Sequence, residues 1–181
     1  MVYMFLANGF EETEALVPAD LLMRANIDLK LVSVEDSLTV KGTHGICVQA
    51  DMMIDACSTE GLEAVILPGG GPGTEALNAN EKVRAFVKYA NENDLLIAAI
   101  CAAPSVFGRM GILEGKRFAC YPGFEKYMPN GILTGNKVER DGKIITAQGM
   151  GVSFEFGFEI ISALCGDNKV SEIKEQTRYD H

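Results

Sequence analysis

The chain has 181 residues, 48% apolar and 23% charged, which suits a globular domain with a sizeable core. Its formal net charge of −9 is scattered along the chain and argues against a nucleic-acid or anionic-membrane partner. No apolar stretch is long enough to span a bilayer, and no signal-type segment opens the chain. Five widely spaced cysteines (Cys47, Cys57, Cys101, Cys120 and Cys165) form no CxxC or Cys/His zinc pattern, so the expected setting is reducing and cytoplasmic, with no metal.

In chain order, Val2–Ala7 reads as a buried strand and Asn8-Gly9-Phe10 as a turn. Glu11–Arg24 carries Ala15, Leu16, Ala19, Leu22 and Met23 at helical spacing, with Pro18 early in the pattern, where a missing N–H costs least. Asp28–Val34 alternates like a second strand, and Ser37–Ala56 reads as a hairpin excursion broken by Gly42 and Gly45. Ala64–Leu67 is a further buried strand, followed by the turn-like run Pro68–Gly73 and by helical patterns over Thr74–Leu77 and Glu81–Asn93. Leu95–Ile100 is a continuous apolar run with a helix expected from Ala102 onward. Short strands follow at Arg117–Cys120 and Lys137–Arg140, and Asp141-Gly142 signals a hairpin turn into Lys143–Ala147. A long apolar helix, Ser153–Leu164, stops at Gly166, and Lys169–Gln176 reads as a short last helix. Strands alternating with helices imply a doubly wound α/β sandwich, a mostly parallel sheet with helices on both faces, in one domain over residues 1–181.

In such a sheet, sites lie beyond the carboxyl ends of the strands. Asn8–Glu14, Pro68–Gly73 and Cys101 all follow strands and should meet at one edge. A thiol at a strand-to-helix junction stands over unpaired N–H groups, which should lower its pKa and make Cys101 nucleophilic; otherwise it is a small buried core residue. The run Gly69–Gly73 matches neither a P-loop nor a dinucleotide fingerprint. It is either a tight turn or, with Gly70 N–H paired to Ala102 N–H, an oxyanion site. Glu11 and Glu12 read as acids at a helix N-terminus, whereas Glu14 sits toward the apolar positions and could reach Cys101 as a neutral acid that donates to sulfur and moves protons. The two histidines are His44, in the Gly-rich excursion, and the terminal His181, expected to be frayed. Neither offers the base that a Cys–His hydrolase needs.

GFEETEALVPAD with Glu14, VILPGG with Gly69 and Gly70, AAICAAP with Cys101, and GMGVSFEFGFEII together resemble the DJ-1/PfpI superfamily, specifically its DJ-1/ThiJ branch, from the first strand to about Cys165. The resemblance implies a flavodoxin-like fold, a homodimer, and an oxidisable cysteine held by a protonated glutamate. It also implies cofactor-independent glyoxalase chemistry on small 2-oxoaldehydes, a disputed deglycase activity on glycated amines or thiols, and stress or chaperone roles. Arg24 and His44 match basic positions that relatives use near their dimer contact. One departure stands out: Tyr121 occupies the place where some relatives carry a histidine near the cysteine.

Three readings follow. The first is a cofactor-free enzyme in which Cys101 attacks an aldehyde carbon, Gly70 and Ala102 N–H groups hold the oxyanion, and Glu14 moves protons. The second is a redox sensor whose Cys101 climbs the sulfenic–sulfinic ladder without turnover. The third is an inert flavodoxin-like module; FMN is disfavoured because Glu11 and Glu12 follow the first strand where a phosphate would sit.

Overall fold

The computed structural model describes residues 1–179; the terminal His181 and the fraying expected of it lie outside the described residues. In chain order the elements are β1 (Val2–Leu6), α1 (Glu12–Arg24), β2 (Leu29–Ser33), the hairpin of β3 (Thr39–Lys41) and β4 (Cys47–Gln49), β5 (Met52–Met53), β6 (Ala64–Leu67), α2 (Gly71–Ala79), α3 (Glu81–Glu92), β7 (Leu96–Ile100), α4 (Pro104–Arg109), β8 (Arg117–Phe118), β9 (Ile132–Leu133), β10 (Val138–Asp141), β11 (Ile144–Ala147), α5 (Ser153–Cys165) and α6 (Asp167–Thr177).

All five residues of β1 are buried, and alternation shares them between two cores. Val2, Met4 and Leu6 face Ala15, Ala19 and Leu22 of α1 and Phe156, Ile160 and Ile161 of α5. Tyr3 and Phe5 face Leu77 of α2, Val83 and Val87 of α3, and Val106 and Phe107 of α4. A strand covered on both sides has no solvent face, which is why β1, β6 and β7 read as unbroken apolar runs. The main sheet has seven strands in the order β10-β11-β7-β6-β1-β2-β5, parallel throughout except for the β10–β11 hairpin. It is the doubly wound, flavodoxin-like arrangement. β2 lies on one side of β1 and β6 on the other, so the chain changes direction there and a crevice opens beyond their carboxyl ends.

Three local expectations need correction, and two short strands left no signal to read. Pro18 lies inside α1, not in its first turn. A proline there lacks the N–H that would reach back to the Glu14 carbonyl. The cost is tolerable because tertiary packing secures the helix: a side chain at Gly157 of α5 would run into Leu21 Cδ1 and Pro18 Cα. The glycine run is not all turn, since α2 already begins at Gly71 with Pro72 in its first turn. The helix after β7 begins at Pro104, not at Ala102; Cys101–Ala103 form a turn, and α4 is only six residues long. Proline without a donor fits a helix's first position, which sets that start. Finally, β5 and β9, two residues each, are too short to leave a periodic signal. Among the described residues, no helix is long and apolar enough to cross a membrane.

Candidate active site

Three loops meet at the switch point, the first two bound to each other, and the third to Ala147 and Tyr121, through their backbones. Glu11 N donates to Gly69 O at 3.0 Å, and Gly73 N donates to Gly9 O at 3.2 Å. Cys101 N donates to Ala147 O, and Tyr121 N to Cys101 O, each at 2.9 Å. Gly70, which caps α2, has φ of +89°, and a Cβ there would stand 2.3 Å from Gly9 O and 2.6 Å from Glu11 N. Only glycine satisfies both the left-handed backbone and the contact.

Glu11 is the N-cap of α1, its carboxylate accepting from Glu14 N at 2.7 Å. That bond sets the first turn, which points Glu14 inward, where it is 1% exposed. Glu14 Oε2 accepts from Gly69 N at 3.0 Å, and the carboxyl also takes a hydrogen bond from the Met150 backbone and contacts the Cys101 thiol. A Cβ at Gly69 would lie 2.3 Å from Glu14 Oε2 and 2.6 Å from Cys101 Cβ, so the absence of a side chain there is what lets acid and thiol touch. Cys101 is half-buried and has φ of +65°, the strained backbone of a sharp strand-to-helix elbow. The backbone N–H groups of Gly70 and Ala102 both reach its sulfur. The structure therefore brings Cys101, Glu14, Gly70 and Ala102 together at one point.

Burial raises the Glu14 carboxyl to about 7; the nearby Glu11 charge adds to this, while hydrogen bonds from Cys101, Gly69 and Met150 oppose it. The lowered thiol pKa expected at Cys101 needs correction. Burial, then the charge of an ionised Glu14 and the hydrogen bond to it, push the thiol up to about 12, against the pull of the Gly70 and Ala102 amides. The helix that was to supply the field is short and starts two residues late. The two acids in contact behave as one titrating unit: it loses its first proton near 7 and keeps the second to high pH.

Glu12 lies in the first turn of α1, as expected of an acid at the helix N-terminus, and has a further role. It is buried, and its carboxylate accepts from His44 N at 2.7 Å and Ile46 N at 3.4 Å and meets His44 Nδ1 at 2.8 Å. It ties the β3–β4 hairpin to the start of α1. These bonds hold its pKa below the usual carboxylate range in spite of burial, and its charge raises that of His44. Glu11, Glu12 and His44 have ligand-type atoms within 4.8 Å of one another, the one such cluster among the described residues, but Glu12 and His44 already partner each other. Arg24 pairs with Asp20 at 2.6 Å, and both Arg24 and His44 have exposed side chains.

Gly149 and Tyr121, to which motif reading assigned no role in the chemistry, complete the site. A Cβ on Gly149 would stand 3.9 Å from Cys101 Sγ, 3.8 Å from Glu14 Oε1 and 3.4 Å from Tyr121 Cδ2. Gly149 opens the GMG segment, whose only visible signal was a pair of glycines before a helix. Tyr121 itself is 52% exposed beside the elbow and supplies no imidazole.

The DJ-1/PfpI family model matches residues 1–163. The chain belongs to the DJ-1/PfpI family. It is 38% identical to protein DJ-1 homolog B of Arabidopsis thaliana over 93% of its own length and 39% of that longer protein, and so spans under half of it. It is 31% identical to a protein of Pyrococcus horikoshii named a deglycase, over 72% of this chain and 78% of that one. The structure of oxidised Toxoplasma gondii DJ-1 superposes with a TM-score of 0.95 at 32% identity, covering 99% of this chain and 98% of that one.

Proposed function

We propose that this DJ-1/PfpI protein is a cofactor-independent enzyme acting on small 2-oxoaldehydes, with Cys101 as nucleophile and Glu14 as the proton carrier. The observation that carries the reading is a half-buried thiol in contact with a buried carboxyl whose pKa is raised to about 7, with two backbone N–H groups on the sulfur. The chemistry follows from that grouping. The Cys101 proton passes to the Glu14 carboxylate as sulfur bonds to the aldehyde carbon. The N–H groups of Gly70 and Ala102 hold the resulting oxyanion, which takes up a proton to give a hemithioacetal. Glu14 then moves a proton between the two oxygen-bearing carbons. The former aldehyde carbon is oxidised to a thioester while the neighbouring ketone is reduced to an alcohol, so no outside oxidant or reductant is needed. Water hydrolyses the thioester, releasing a 2-hydroxy acid and regenerating the thiol. Glycated amines or thiols, which carry the same two-carbon unit, are the related substrate class, in line with the name of the Pyrococcus relative.

The test is lactate formation from methylglyoxal by the wild type and Cys101→Ala, with no added cofactor. Lactate from the wild type alone is the expected result; equal formation by both, or none by either, would remove the proposal.

A second reading, redox sensing at the same sulfur, draws support from the structural neighbour described as oxidised. Mass mapping after mild peroxide tests it: Cys101 should oxidise before Cys47 and Cys120, and the reverse order rules it out. Five free cysteines suit a reducing, cytoplasmic setting. The family's homodimer, with Arg24 and His44 near the contact, is proposed for this chain too; sedimentation of the wild type against Arg24→Glu checks it.

A further inference from the structure

A groove of about 350 Å3 lies beside the elbow, with Tyr121, Pro122, Gln148, Gly149, Met150 and Val152 among its lining residues. It adjoins the reacting atoms through Gly149: the point that a side chain on this residue would fill lies within 4 Å of the sulfur, the Glu14 carboxyl and the Tyr121 ring together. That point is open because residue 149 is glycine. Beyond it the lining is apolar, and two of its largest side chains, Tyr121 and Met150, are 52% and 55% exposed. The polar side chain in the lining, Gln148, turns its amide nitrogen to Gly135 O and Asn136 O, at 3.0 and 3.1 Å. Among the described residues, no lysine, arginine or histidine lines the groove, and the charged group acting on the thiol–carboxyl pair from outside it is the acid Glu11.

From this geometry we infer that the groove is the subsite for the non-reacting substituent of the substrate, and that it takes an uncharged, apolar group of aryl size. The inference rests on the 2-oxoaldehyde reading and narrows it. A methyl group covers little of a groove this size and leaves the Tyr121 ring and Met150 side chain wet, whereas an aryl group removes both from water. A carboxylate on the substituent would meet no lysine, arginine or histidine among the described lining residues and would stand beside the Glu14 carboxyl.

The binding part is tested without turnover. Phenacyl chloride and chloroacetone differ only in the substituent: sulfur bonds to the methylene carbon, the carbon–chlorine bond breaks, chloride leaves, and the thiol proton goes to Glu14 or water. Their relative alkylation rates are measured by mass mapping at Cys101 and, in the same molecule, at the exposed Cys47. We expect the aryl-to-methyl ratio at Cys101 to exceed that at Cys47 about tenfold. It should fall toward the Cys47 value in Tyr121→Ala and Met150→Ala, whose exposed side chains can be truncated without unfolding the chain. Equal ratios at the two cysteines, or a Cys101 ratio that neither truncation moves, would overturn the inference. The kcat/KM ratio of phenylglyoxal to methylglyoxal gives the second reading: about ten or more supports the subsite, and one or less overturns it. Absence of turnover with both aldehydes, alongside an intact alkylation ratio, supports the apolar groove and strikes the glyoxalase reading alone.

Discussion

Replacing Gly70 by alanine tests the claim that the switch point is held by backbone contact. The new Cβ would stand 2.3 Å from Gly9 O, 2.6 Å from Glu11 N and 2.8 Å from Phe10 C, all backbone atoms that hydrogen bonds fix in place, and φ of +89° is itself unfavourable for a side chain. A left-handed residue costs roughly 1–2 kcal/mol. Overpacking against rigid neighbours adds about 1–3 kcal/mol. About 3 kcal/mol in total lowers the melting temperature of a chain this size by roughly 6–12 °C. The control is one residue away. Gly71 is helical, and a Cβ there meets nothing within 4 Å, so Gly71→Ala should leave the protein as stable or raise it by about 0.4–1 kcal/mol. Thermal unfolding followed by circular dichroism measures both. A Gly70→Ala melt within a degree or two of wild type, or a Gly71→Ala loss as large as that of Gly70→Ala, would refute the account of the glycine run.

Further outcomes follow from the acids. Turnover of a 2-oxoaldehyde should rise with pH through about 7, as the Cys101–Glu14 pair loses its first proton, and Glu14→Gln should remove that limb and cut kcat/KM about a hundredfold; a pH–rate profile decides. The same carboxyl bears on stability. Its folded pKa of about 7 lies above its ordinary 4.5, so its contribution is fully present below about 4.5 and is lost as pH rises through 7. Stability relative to wild type should therefore be higher for Glu14→Gln at pH 8 than at pH 4, by about 3 kcal/mol, as read from denaturant titrations at the two pH values. Glu12→Ala strips the His44 and Ile46 amides of their acceptor and should cost about 2 kcal/mol, with faster hydrogen exchange across the β3–β4 hairpin.

The doubly wound fold was legible because its central strands are buried on both faces and its helices show their apolar faces at the expected spacing. The meeting of Cys101, Glu14, Gly70 and Ala102 follows from that topology, since each lies just past a strand's carboxyl end or in the first turn of the helix after it. What stayed hidden depends on contacts distant in sequence. Glu12 and Glu14 look alike in EETEA; only the hairpin that folds over one and the thiol that meets the other separate them. The thiol's raised pKa comes from burial and from its neighbour's charge, neither of which a local pattern records. The resemblance included Gly149 and Tyr121, but their closeness to one another and of Gly149 to the sulfur is set by contacts that no local pattern records.

The left-handed backbone at Cys101 separates aim from comfort. A glycine would rest there without strain, and the chain would be sturdier for it, yet nothing would then project into the crevice. At the elbow a sturdier backbone and a side chain aimed at the crevice ask for different residues, and the chain carries the one with a side chain.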